Sequence, residues 1–173
     1  MLGAYLSVPA APETLAALKA LAGELPTSEF RGDTRVVVPR DRLWEAMALL
    51  NEQRGFDLLV DVTCVDYLNY RGAKDRFGLV YLLTNAATND RLTVRVFLNE
   101  DRLEVPSLVR LWAGADWLER EVFDMFGVRF TGHPDLRRIL MPDEFTAFPL
   151  RKDYPLQGRG ERHNFSRIAR AEA

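Results

Sequence analysis

The sequence predicts an α+β fold in two layers: a largely antiparallel mixed sheet with helices on one face, plus an extended C-terminal tail. Three observations predict it. Three successive segments alternate apolar and polar residues with period two, the pattern of strands with one buried and one wetter face. The linkers 69–74 and 85–90 are too short for the dozen-residue crossover that parallel neighbours need, so these strands form an antiparallel meander. The order of elements is helix, strands, helix, three strands, helices and tail, which suits helices packed on one face of a sheet.

Taken in order, Pro12 suits a first helical position. Leu15, Leu18, Ala22 and Leu25 follow at helical spacing until Pro26 stops the run. Glu29–Arg31 reads as a short strand, Gly32-Asp33 as a turn, and Arg35–Val38 as a β-branched run ended by Pro39. A second helix is expected from about Asp41 to Gln53, with Leu43, Trp44, Met47 and Leu50 on one side and Gly55 at its end. In the meander, Leu58, Val60, Val62 and Cys64 form one face of the first strand. Phe77, Leu79, Tyr81 and Leu83 do so in the second, and Leu92, Val94, Val96 and Leu98 in the third. A short helical piece is expected at Pro106–Trp112. A better-signalled helix follows, with Asp116 as its cap, Glu119 at capping-box spacing, and Leu118, Val122 and Met125 as its apolar stripe. Gly127 stands where a left-handed C-cap belongs. The chain divides into an α+β domain at 1–140 and an extended partner-binding tail at 141–173.

With 173 residues, 47% hydrophobic and 28% charged, the chain is long enough for one domain with a real core. No apolar run approaches the roughly 20 residues of a membrane span. The N-terminal sequence lacks the basic start of a signal peptide and is expected to be mature. The single Cys64 excludes an internal disulfide and an all-cysteine metal or iron–sulfur site within the chain. Residues 1–128 carry 14 Lys/Arg and 19 Asp/Glu, whereas 129–173 carry 9 and 6, so a mildly basic tail follows an acidic body. That imbalance is too small, and too free of lysine runs, for a nucleic-acid partner. A partner protein or the body's own surface is the better counterpart.

Chemistry-bearing residues concentrate between Trp117 and Arg159. Glu121 and Asp124 stand three apart on one helix face, which suits either a metal or acid–base pair or, more commonly, an ion-paired face with Arg120. No histidine at helical spacing completes a metal site, and no nucleophile–base pair is visible. His133, in a turn, is a candidate proton carrier, although a structural or interface role is the commoner use. His163 lies in the polar tail and carries less signal. Neither a G-x-G-x-x-G nor a Walker A sequence is present, so no known loop binds NAD or ATP. Beyond the helix, Arg137, Arg138, Arg151 and Lys152 are interleaved with Ile139, Leu140, Met141, Phe145, Phe148, Leu150 and Tyr154 among four prolines. Apolar burial worth about 25 cal/mol per Å² favours docking such a strap on a surface, with the arginines forming forked pairs at its edge.

In order and spacing, Glu119-Arg120-Glu121, Asp124, Met125-Phe126, His133, Arg137 and Ile139-Leu140 resemble the signature of the 30 kDa subunit of respiratory complex I. Pro149–Pro155, including Arg151, Lys152, Asp153 and Tyr154, is similar to that family's continuation, and Asp61–Leu68 is similar to its preceding strand. The resemblance covers about 34–157. It implies a non-catalytic subunit of the hydrophilic arm, peripheral on the cytoplasmic side of the cell membrane. FMN, iron–sulfur clusters and quinone would be held by other subunits, so this chain would carry no cofactor. Its partners would be the large quinone-module subunit and neighbouring iron–sulfur subunits, in a complex that moves electrons from NADH to quinone and translocates protons. Glu119, Arg120, Glu121, Asp124, Gly127, His133, Arg137, Arg138, Arg151, Lys152, Asp153 and Tyr154 would be its signature and interface residues. The alternatives are the equivalent subunit of a photosynthetic- or hydrogenase-type relative, and a stand-alone carboxylate-dependent enzyme. No Cys-x-x-Cys motif follows, so a fused hydrogenase large subunit is not expected.

Overall fold

The computed structural model describes residues 8–9 and 11–161; His163 falls outside them. The expected meander is present as β4 (Leu58–Asp66), β5 (Phe77–Thr84) and β6 (Asp90–Leu98), paired antiparallel in that order. Ahead of it in the chain come β1 (Val8–Pro9), β2 (Thr27–Phe30) and β3 (Asp33–Val37). β3 pairs with β6 in parallel and with β2 antiparallel, so the sheet runs β2-β3-β6-β5-β4, and β1 joins the start of β6 in parallel. The β2–β3 turn is Arg31-Gly32, one residue earlier than expected. Both residues have positive φ, 54° and 84°, as a two-residue hairpin turn requires.

The first meander strand departs from the expected face assignment. A bulge between Leu59 and Asp61 shifts its register against β5. Leu59, Val62, Cys64 and Asp66 therefore point inward, while Leu58 and Val60 are exposed. One extra residue in an alternating strand sends every side chain on one side of it to the other face. The bulge also lies on an edge strand, where such irregularities discourage unwanted pairing.

Against the inner face lie α1 (Pro12–Ala22), α2 (Leu43–Ala48) and α3 (Ala115–Phe126). A 3-10 turn at Arg40–Arg42 leads into α2, and a π-helical turn at Leu49–Gln53 continues it. Leu18, Leu43, Met47, Leu50 and Val122 from these segments share one core with Phe77, Leu79, Tyr81, Val94 and Val96 from the sheet.

No helix forms at Pro106–Trp112. Pro106 ends β7 (Glu104–Pro106), which pairs in parallel with β8 (Arg129–Thr131). Parallel neighbours need a crossover, and α3 supplies it. Ser107 N–H continues this pairing by donating to Thr131 O, and only a single turn follows, closed by the Leu111 and Trp112 amides on Leu108 O. That turn also changes the start of α3. Asp116 does not cap it, and no side chain does. Trp112 O and Ala113 O receive the first free amides, of Ala115 and Asp116, so the preceding turn does the work of a cap. Gly127 is left-handed at φ 79° and ends the helix as expected.

Candidate functional site

The C-terminal half of α3 and the inner end of β4 hold the strap. Arg120 and Asp124 stand one helical turn apart and face the same way. Arg120 donates through Nε to Arg137 O (3.2 Å) and through Nη2 to Arg138 O (3.3 Å). The Asp124 carboxylate has no exposed side-chain area. It accepts from the amides of Ile139 (3.1 Å), Leu140 (2.7 Å) and Met141 (2.8 Å), and from Arg138 Nη1 (2.6 Å). One turn of helix thus takes both the carbonyls and the amides of 137–141. The ion-pair partner of Asp124 is therefore Arg138 and not Arg120 as the helical spacing suggested. Burial alone would raise the Asp124 pKa, but the three amides and Arg138 outweigh it and hold the carboxyl below its ordinary value.

Asp66 makes a second anchor at the end of β4. Its buried carboxylate accepts from the amides of Leu68 (2.9 Å) and Lys152 (2.8 Å) and from two nitrogens of Arg76 (3.3 and 3.1 Å). Burial opposes ionisation here too, and Arg76 with the two amides reverses it, leaving the carboxyl below its ordinary value. Arg76 also pairs with Glu100 and Asp153. Between the two anchors, the strap satisfies carbonyls at the end of α3 that have no partner within the helix. Leu150 N–H donates to Met125 O (3.2 Å), and Arg151 Nε donates to Phe126 O (2.6 Å). A cation there also complements the helix dipole.

Arginines and aromatic rings alternate through this contact. Arg76 and Arg151 stack on Phe77 at 4.8 and 5.2 Å, Arg151 and Arg138 on Phe148 at 4.6 and 5.4 Å, and Arg138 on Phe145 at 5.7 Å. Phe145 then meets Tyr154 edge-on at 5.7 Å, and the Tyr154 hydroxyl donates to Glu161 (3.0 Å). Each partly desolvated cation–π contact is worth about 0.5–2 kcal/mol. The left-handed Gly127 passes under this ladder, where a Cβ would lie 2.6 Å from Phe148 and 2.8 Å from Arg151.

Glu119 does not complete a capping box. It is wholly buried and accepts from Ser107 Oγ and Leu108 N–H, both at 2.7 Å, which pins the turn after β7 to α3. Burial pushes its pKa up to about 7, although both donors oppose the shift. The His133 ring is buried. Its Nδ1 accepts from Asp135 N–H (3.0 Å), so Nε2 carries the proton facing Asp116 O at 3.2 Å. Glu121 is exposed and does not join Asp124. Arg137 is also exposed and pairs with Asp135, and Lys152 contributes its backbone amide. Among the described residues, no group of three His, Cys, Asp or Glu is placed to hold a metal. Cys64 is buried, and that burial pushes its thiol up to about 12.

Sequence reasoning gave Asp66, Arg76, Phe77 and Ser107 no part in anchoring the strap or the turn after β7. Asp66 did carry a signal, because it stands in phase with the inward positions Val62 and Cys64. Its partner Lys152 lies 86 residues away, beyond any local pattern.

The arrangement defines a class of domain: a two-layer α+β body fastened to its own C-terminal strap by buried carboxylates and an arginine–aromatic ladder. The family described as respiratory-chain NADH dehydrogenase, 30 Kd subunit, matches residues 36–160, from within β3 into the C-terminal tail. The chain belongs to this family. It is 47% identical over 136 residues to the NADH-quinone oxidoreductase C subunit of Trichlorobacter lovleyi, covering 79% of this chain and 83% of that one. The corresponding C subunit of Moorella thermoacetica is 47% identical over 125 residues, covering 72% and 82%. A solved trypsin-resistant fragment of Nqo5 superposes with a TM-score of 0.65 at 37% identity, covering 72% of this chain and 97% of that one. A chain of an archaeal respiratory membrane complex, the membrane-bound sulfane sulfur reductase, shares the fold at a TM-score of 0.71 and 23% identity, covering 93% and 94%. No described helix is long and apolar enough to cross a membrane.

Proposed function

We propose that this chain is a non-catalytic subunit of the hydrophilic arm of a proton-translocating NADH–quinone oxidoreductase, where it assembles and shapes the quinone module. The internal use of the signature side chains carries this reading. A general base needs a lone pair facing its substrate, whereas the Asp124 oxygens are filled by three amides and an arginine. Asp66 is filled in the same way. These groups hold the inner side of the strap, and its outer side presents Leu140, Leu150 and Leu156, which are 62%, 50% and 105% exposed. Exposed apolar residues on a clamped segment suit a protein partner.

In this reading FMN and the iron–sulfur clusters belong to partner subunits. The chain meets the large quinone-module subunit and its iron–sulfur neighbours, and it reaches the membrane only through them, on the cytoplasmic side. The names of the curated relatives support NADH as donor and quinone as acceptor. A mild-detergent pull-down on the tagged full chain tests the proposal. The cluster-bearing and large quinone-module subunits should come with it. Recovery of the chain alone from membranes that hold those subunits would contradict the proposal. So would a metal-dependent activity of the isolated chain that Glu121→Gln abolishes.

A further inference from the structure

The sheet face away from the helices is open, and it carries a pocket of about 490 Å³ lined by Tyr67, Tyr70, Lys74, Asp75, Arg95 and Phe97. The strand register builds it. Phe97 stands opposite Gly78 and Arg95 opposite Val80, all on the outer side. Gly78 lets Tyr67 lie against the sheet, because a Cβ there would come within 2.8 Å of the Tyr67 ring and 3.3 Å of Phe97. Tyr67 then packs against Phe97 at 6.1 Å and edge-on against Tyr70 at 5.9 Å, giving the pocket an aromatic wall.

Arg95 is the unexplained group. Its Nε is buried and has no hydrogen-bond partner. The acid lining the pocket, Asp75, instead accepts from Asn99 Nδ2 at 2.7 Å. Arg95 as a whole is only partly buried, so the rest of its guanidinium is open to the pocket, and a carboxylate is the acceptor that matches a guanidinium fork best. Lys74 adds a second cation. Along the same face, Thr63, Val65 and Leu82 extend the surface away from the pocket, with Val60 and Leu58 beyond them. A free small anion would leave this apolar area in water, whereas a polypeptide would cover it.

We propose that this pocket receives an aspartate or glutamate side chain from a segment of a partner subunit, with Arg95 as its fork and Tyr67, Tyr70 and Phe97 against the neighbouring apolar residue. The inference rests on the assembly reading above and adds a second contact, separate from the strap. The test places a photo-cross-linking amino acid at Tyr70 in the full chain, within the intact complex, and a second at Leu156 on the strap as a control. Tyr70 should cross-link to a partner-subunit peptide that contains a carboxylate. Arg95→Gln should lower that yield by about tenfold, the loss expected for one charged hydrogen bond, and should leave the Leu156 yield unchanged. Arg95→Lys should fall between the two. If Leu156 cross-links and Tyr70 does not, the pocket assignment is wrong. It is equally wrong if the captured peptide lacks an acid, if it comes from a second copy of this chain, or if Arg95→Gln has no effect. If neither position captures a partner and the chain is recovered alone, the assembly reading itself fails.

Discussion

Asp124→Asn separates the clamp from the fold that carries it. In the native chain Oδ2 accepts the three amides of 139–141 and Oδ1 accepts Arg138 Nη1. Asparagine can keep an oxygen toward the amides, but its NH₂ then faces the guanidinium, donor against donor. Arg138 has a side chain only 13% exposed, so its charge is left largely buried without its partner. Removing one partner of a buried pair costs about 3–5 kcal/mol. That is a large share of the roughly 5–15 kcal/mol by which domains are stable. The core of the sheet does not depend on this contact, so the loss should appear as local opening of the strap. Hydrogen exchange reads it directly: the amides of Ile139, Leu140 and Met141 should exchange about a hundredfold faster, the equivalent of about 3 kcal/mol. Amides in the centre of β5 and β6 should be unchanged. Exchange at 139–141 within about threefold of the native rate would refute the view that Asp124 fastens the strap.

Two further outcomes follow from the same contacts. The buried Glu119, raised from 4.5 to about 7, contributes stability that is complete below its ordinary value and is lost as pH rises through about 7. That loss is worth about 3 kcal/mol. Glu119→Gln should flatten this slope in denaturant midpoints measured between pH 4.5 and 8, and equal slopes would count against it. Asp66 and Asp124 work in the opposite sense, since their lowered values give stability above the ordinary carboxylate range that is lost as the pH falls further. The native chain should therefore be most stable at mildly acidic pH. Gly127→Ala should destabilise by more than about 2 kcal/mol, from its φ of 79° and from the Phe148 contact together. Asparagine, which tolerates that φ, should recover only the backbone share.

Local pattern reached most of the sheet and much less of the site. The meander was legible because alternation and short linkers are properties of consecutive residues. The bulge in β4 was not, because the same letters fit either register until β5 fixes one. The end of α3 was visible in Gly127. Its beginning was misassigned because Trp112 O and Ala113 O supply what a capping side chain would have supplied. The strap's arginines and aromatics were conspicuous in the sequence, which set it down as a partner-binding tail and not as part of the body. Of the surfaces it could lie on, 138–152 meets the body's own, through Asp124 and Asp66. Contacts that join residues 15–86 positions apart depend on the finished fold, which is why Arg76 and Phe77 gave no warning of their part in the ladder.

In the proposed assembly role, Asp124, Arg138 and Arg151 hold the strap in place, and none of the family's signature residues takes part in electron transfer. The direct measurement is NADH–quinone turnover per assembled complex in membranes carrying Glu119→Gln, Glu121→Gln or Asp124→Asn. Asp124→Asn should lower the amount of complex, while turnover per complex stays unchanged for all three. A normal amount of complex with turnover reduced tenfold or more would contradict that role.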